Sequence, residues 1–206
     1  YLNGEAAMIV WSPFILDEMA GLRDNAFPAC EECGDDPAFL AANSAIVPSF
    51  VGPSGMEPVQ YGQVSNMGLT TGASEAAMEF VKYWLSDGYL AWLGTSPEGK
   101  FPMLRGNADS DTFYIDGWST LETGVDRRAP LSEFYGEDVI QTLIEGASGF
   151  ARWGFNEGQG ALVGGVYQEL PVTELLSEVI NGSLTAEEAA EEIQFLVEEI
   201  QAAQAE

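Results

Sequence analysis

A net charge of -26, from 33 Asp and Glu set against 7 Lys and Arg, constrains this chain more than any other feature of its sequence. Only Lys82 and Lys100 are lysines. A surface of this sign repels a phosphate backbone, which excludes nucleic acid as a partner. It repels anionic membrane surfaces for the same reason. Such a charge is compatible with disorder or with adaptation to salt. Disorder requires low hydrophobicity, whereas 46% of the 206 residues are hydrophobic and the chain carries 5 Trp, 11 Phe and 7 Tyr. At molar salt the Debye length falls to about 3 Å, and carboxylate repulsion that strains a fold in dilute buffer is screened. The composition therefore reads as that of a halophile's protein, long enough for one sizeable core or two small ones.

The chain opens at Tyr1 on a stretch that already reads as folded, so a fragment or processed product is expected, with any targeting sequence upstream. No apolar run reaches the roughly 18–20 residues that span a bilayer. Cys30 and Cys33 form a lone CxxC in an acidic loop that contains Gly and Pro. A zinc site needs two more ligands, and the chain has no histidine and no second cysteine pair. A thioredoxin-type pair should open a helix after a strand. A short local disulfide in an extracellular loop is the expectation that remains.

Residues 5–11 read as a short buried strand. Ser12-Pro13 then caps a helix whose apolar face holds Ile15, Leu16, Met19 and Ala20. Residues 24–43 are loop-rich, 44–51 with Pro48 form an extended connector, and 52–58 a loop. Residues 59–71 look like a strand interrupted by Gly62 and Gly68. A helix is predicted from Ser74 to Ser86, with Ala77, Phe80, Val81, Trp84 and Leu85 on its apolar side. A short helix around 89–93 follows, then a polar, turn-rich 106–130 and a helix over 136–149. Five glycines crowd 154–165. Two helices, about 167–181 and 186–203, close the chain. Thr185 and Glu188 form a capping-box signature for the last helix. Its buried stripe is Ile193, Leu196, Val197 and Ile200, and the glutamates of that tail face solvent.

Catalytic patterns are sparse. Without histidine there is no Ser-His or Cys-His pair. Paired carboxylates suit a glycosidase, but no pair stands apart from the many surface acids. The glycines of 154–165 match neither GxGxxG nor a P-loop. Asp109 and Asp111 begin like a calcium loop, yet the required glycine and distal glutamate do not follow. No metal or cofactor is therefore expected. Aromatic placement is more telling. Trp11 and Phe14 lie at a strand-to-helix junction, Tyr61 in a Gly-flanked strand, and Trp153 and Phe155 beside a glycine-rich turn. Rings at such junctions can line a concave site in which they stack on a ligand. Gln63, Asn66, Arg152 and Asn156 are the neighbouring polar candidates.

The order of these segments resembles a known family. The run from Tyr1 to Met8, with Gly4, followed by a hydrophobic stretch, is similar to the F-x-x-G-x-A-A-M element of extracellular solute-binding proteins of ABC transporters, the maltose-binding-protein-like family. Residues 65–74 and the following Ala77-x-x-Phe80-Val81-x-x-Trp84 helix look like that family's strand and eaA-x-x-F helix. The loop with Gly99 and Pro102 resembles its G-x-x-P turn, and Val179 to Gly182 with Thr185 to Ala189 resembles its closing helix pair. The resemblance implies an α/β, two-lobed periplasmic-binding-protein type II fold with hinge crossings, of which this chain is a C-terminal part. Residues 1–46 would belong to the C-terminal lobe, 47–105 to the N-terminal lobe, and 106–206 to the C-terminal lobe again, with the closing helices. It implies that Phe14 corresponds to an aromatic that stacks on sugar, with Trp11 at the same cleft edge. For a later sugar-stacking tryptophan Val172 falls nearest by spacing, and Tyr167, Trp153 or Phe155 would take over that role.

The function this implies is capture of a carbohydrate or similar polar solute outside the cell, at its surface or in the periplasm, and delivery to a membrane permease. The protein is expected to be monomeric and not an enzyme, and to meet the membrane through an upstream anchor or the permease. A glycerol-phosphate-like or peptide ligand is an alternative within the family, and Arg152 or Arg105 would favour an anionic one. Outside it, the rivals are a secreted carbohydrate-active enzyme using paired carboxylates and a structural or adhesive surface protein.

Overall fold

Helix signals in the sequence that combine a cap with an apolar period become helices in the computed structural model, which describes residues 1–206 except Ser54, Met56, Ala205 and Glu206. Ser12 and Pro13 start a 3-10 turn over Pro13–Ile15 that runs into α1, Leu16–Met19. This entry buries Ile15, Leu16, Met19 and Ala20, the four residues expected on its apolar face. After the cysteine loop comes α2, Phe39–Asn43, in a segment whose sequence predicts loop. The side chain of Ser74 accepts from the Ala77 amide and caps α3, Glu75–Trp84, and α4 spans Tyr89–Leu93. Then follow α5, Phe113–Ser119, and a two-residue antiparallel ladder of β1, Glu122–Thr123, with β2, Ala129–Pro130. The sequence predicts only turns there. The missed helix is short, and Gly117 within it lowers its propensity. The helix α6 is Glu137–Gly146.

The chain divides into two compact units, Tyr1–Phe150 and Ala151–Glu206. In the first, one core gathers Leu16, Leu22, Tyr89, Leu93, Tyr114, Trp118, Leu131 and Tyr135 with their neighbours. The larger aromatic members also satisfy their polar atoms. Trp118 Nε1 donates to the Pro97 carbonyl at 2.9 Å, and the Tyr135 hydroxyl donates to the Leu16 carbonyl at 2.7 Å. Burial and the nearby Asp17 charge raise the Tyr135 pKa, so the phenol stays a donor. These core residues come from all three stretches that the family resemblance assigns to alternating lobes.

In the second unit, α7 (Gly160–Glu169), α8 (Pro171–Ile180) and α9 (Ala186–Ala203) pack together. The glycine-rich stretch thus ends in a helix rather than a turn, and a close helix contact explains one of its glycines. A Cβ at Gly165 would stand 2.6 Å from both Ile200 and Gln204 of α9. The lost propensity, about 1 kcal/mol against Ala, is offset by this close approach. In α9 the capping box of Thr185 and Glu188 is formed in both directions. Ile200 is buried and Ile193, Leu196 and Val197 are half-buried, while Glu187, Glu188, Glu191, Glu192, Glu198 and Glu199 are exposed. The last glutamate of the tail, Glu206, lies outside the described residues, as do Ser54 and Met56 of the loop expected over 52–58.

Two expected strands are not formed. Residues 5–12 carry no regular secondary structure and are exposed, Met8 at 88% and Val10 at 93%. Over 59–71 the backbone has isolated bridge positions at Val59, paired with Phe50, and at Tyr61, and no ladder. A strand is stable only when its amides pair with a neighbour along its length, and among the described residues neither stretch is paired in a ladder. In the cysteine loop the expected disulfide between Cys30 and Cys33 is formed.

Candidate functional site

The entry to α1 carries the ring that the sequence singles out most strongly. Pro13 fixes the turn, and Phe14 then points away from the buried face of Ile15 and Leu16. It leans on the backbone of Gly99, where an added Cβ would stand 2.4 Å from the ring. No larger residue fits at position 99 without displacing Phe14. The ring is 41% exposed, so it is supported on one side and open on the other.

Beside Gly99 the chain buries an ionic cluster that sequence reasoning missed. Asp17, Glu98 and Thr123 are each at most 1% exposed. Arg23 donates through Nε to Asp17 Oδ2 at 2.6 Å, and its Nη2 lies 3.9 Å from Glu98 Oε1. The hydroxyl of Thr123 donates to Glu98 Oε2. The bond to Asp17 raises the Arg23 pKa further, so this charge is permanent. Burial raises the pKa of neighbouring Glu18, with Asp17 adding to the shift. The other carboxylate oxygen of Asp17 is buried and has no protein partner among the described residues. Both buried carboxylates are thus tied into the scaffold by Arg23 and Thr123. Arg23 thereby links Asp17 of α1 to Glu98, the chain neighbour of Gly99.

The remaining candidates are distributed over both units. Trp11 is 69% exposed on the segment without secondary structure. Tyr61 is 63% exposed, Gln63 and Asn66 are exposed, and the Asn66 amide donates to the Val64 carbonyl at 3.3 Å. Their segment rests on Phe150, whose ring occupies the space a Cβ at Gly62 would take. In the second unit the Arg152 guanidinium lies 4.3 Å from the centre of the Phe155 ring, a cation–π contact within one turn. Trp153 and Asn156 are exposed beside it, and Gly154 takes the positive φ of 72° that the turn needs. Tyr167 and Val172 are also exposed. The two units each hold an aromatic group of their own, Phe14 with Gly99 in one and Arg152 with Phe155 in the other.

Sequence reasoning also missed a pocket of about 230 Å³ in the first unit, lined by Ser86, Asp87, Leu90, Asn107, Phe113 and Tyr114. Its signal was the adjacent Phe113 and Tyr114 inside an otherwise polar stretch. Among the described residues no cluster of three His, Cys, Asp or Glu side chains is arranged to hold a metal ion. Asn107 Oδ1 accepts from the amides of Asp109 and Ser110 at 2.9 and 3.0 Å, so this acidic stretch forms an Asx turn. No helix among the described residues is long and apolar enough to cross a membrane.

No protein-family model, curated protein or solved structure matches this chain.

Proposed function

We propose that this chain belongs to an extracellular solute-binding protein of an ABC importer, which captures a carbohydrate or similar polar solute and hands it to a permease. The observation that carries the reading is the seat of Phe14 on Gly99. The two residues enter the family resemblance through separate motifs, far apart in sequence, and they meet in space. A ring fixed against backbone on one side and exposed on the other is a platform for the apolar face of a sugar. The buried Asp17–Arg23–Glu98 cluster holds that platform rigid, which lowers the ordering cost of binding. Capture then proceeds by closure of two lobes around the ligand, with stacking and hydrogen bonds and no covalent step. A carbohydrate-active enzyme would need a free acid and base; Asp17 and Glu98, the buried carboxylates among the described residues, are both held by other side chains.

The test is a thermal-shift screen of the protein in about 3 M salt against sugars, polyols, sugar phosphates, amino acids and peptides. Ligands that bind only the folded state raise the melting temperature with concentration. A rise with one class of sugar or polyol is expected, and Phe14→Ala should weaken binding of that ligand about tenfold or more, the loss of one stacking contact in a closed site. A panel without any shift, or unchanged affinity in Phe14→Ala, would overturn the proposal.

A further inference from the structure

We propose that the pocket between the α3–α4 turn and the start of α5 binds a small organic ammonium ion. This site does not include Phe14 or the residues around it, and it stands whether or not the chain captures sugars.

The walls of the pocket are fixed by the fold. Tyr114 is buried, meets Tyr89 edge-on at 5.0 Å and Phe113 at 5.2 Å, and brings its hydroxyl to 3.5 Å from the Ser86 carbonyl. The backbone carbonyl of Arg105 accepts from the amides of Tyr114 and Ile115, which pins the loop carrying Asn107 to α5. The two backbone amides that bond to Asn107 Oδ1 fix the orientation of that side chain and leave its Nδ2 hydrogens as the free donors.

The chemistry of the lining then selects a class. Its carboxylate is Asp87, and no ion pair or hydrogen bond of the Asp87 side chain occurs among the described residues. The nearby Lys82 is engaged by Glu79 at 2.7 Å. No cationic side chain lines the pocket, so an anion has nothing to pair with. A carboxylate, two aromatic rings and Leu90 together suit a positive charge carried on an apolar body, which aromatic walls attract through the ring quadrupole. The Asn107 amide supplies a donor for a hydroxyl or carboxylate oxygen at the other end of such a molecule. A net charge of -26 concentrates small cations at the whole surface, and the pocket adds shape to that attraction. At about 230 Å³ the volume falls below the range of drug-sized sites, so the ligand is small.

Choline and its neutral carbon isostere, dimethylbutanol, have nearly the same shape and differ in charge, so the pair separates recognition of the cation from simple hydrophobic filling. Both would be titrated into the protein in molar sodium chloride, with binding read by calorimetry and by NMR shifts of Asn107, Phe113 and Tyr114. Choline should bind with shifts at these residues, and dimethylbutanol about tenfold more weakly or worse. Asp87→Asn, a surface substitution that leaves the circular dichroism spectrum unchanged, should abolish the preference for choline, whereas Asp109→Asn outside the pocket should preserve it. Equal binding of the two probes, no choline binding at millimolar concentration, or choline binding unaffected by Asp87→Asn would overturn the proposal. Phe14→Ala should leave choline binding intact, so failure of sugar capture and failure of this site give different results.

Discussion

Arg23 carries the polar interior of the first unit. Its guanidinium faces two buried carboxylates, Asp17 at 2.6 Å and Glu98 at 3.9 Å, and both would be left without a countercharge if it were removed. Breaking a buried pair by deleting one partner costs about 3–5 kcal/mol, because the remaining charge stays desolvated. Arg23→Leu should therefore lower the stability measured by denaturant titration by about that amount. Arg23→Lys should recover only part of it, since an ammonium cannot present two separated N–H groups in one plane. A loss below about 1 kcal/mol in Arg23→Leu, the level of an exposed pair, would show that the cluster is solvated. Nothing local in the sequence marks this residue. Arg23 sits next to Asp24 and close to Glu18, an ordinary surface pattern, and its partner Glu98 comes from a remote turn. Phe14 was legible because Ser12-Pro13 announces a helix start and so fixes which side of the chain Phe14 faces. Its support, Gly99, could be assigned only when the fold brought the two together.

Elements that carry their own signals are the ones sequence reading recovers. A capping side chain and an apolar period are local facts, and they mark α3 and α9, where Ser74 and Thr185 each accept a backbone amide. Strands are different, because an extended stretch becomes a strand only if a neighbour pairs with it. Residues 5–11 and 59–71 have strand-like composition and no ladder. The helix α7 was missed for a related reason, since Gly165, one of its three glycines, is explained by its contact with α9 rather than by anything within the segment. The capping box of α9 also yields a pH dependence. Hydrogen bonds from the Thr185 amide and hydroxyl lower the Glu188 pKa below its ordinary value of 4.5. A carboxylate with a depressed folded pKa contributes stability above its unfolded pKa and loses it as pH falls through the folded one. The first turn of α9 should accordingly fray below pH 4.5, seen as faster amide exchange at Glu187 and Glu188. In Glu188→Gln the same amides should show much less change over that window. Equal acid sensitivity in both proteins would place the effect elsewhere.

At the scale of the molecule, charge and its screening decide stability. The described residues form four ion pairs, made by three of the seven cationic side chains, so most of the 33 acids have no countercharge within the fold. Their mutual repulsion acts over about 10 Å at 0.1 M salt and about 3 Å at 1 M. The burden is unequal. Residues 151–206 hold 11 acids and one base, whereas 1–150 hold 22 acids and 6 bases in nearly three times the length. The second unit also has fewer core residues to oppose it, with Val163, Val166, Ala189 and Ile200 as its buried hydrophobics. Nine of its acids lie on α7, α8 and α9, where Glu187 and Glu191, and Glu188 and Glu192, repel one another one turn apart. Lowering the salt from molar to dilute should therefore unfold 151–206 first. Circular dichroism at 222 nm would report the early loss of helix, while near-ultraviolet bands from Trp118 and Tyr135 in the first core persist to lower salt. Potassium and sodium chloride should act alike, because the effect is screening, and sucrose should not replace them even though it strengthens apolar burial. A spectrum independent of salt would remove the case for salt adaptation. Loss of the two signals together would show that the units unfold as one, and that charge density in 151–206 does not set the order.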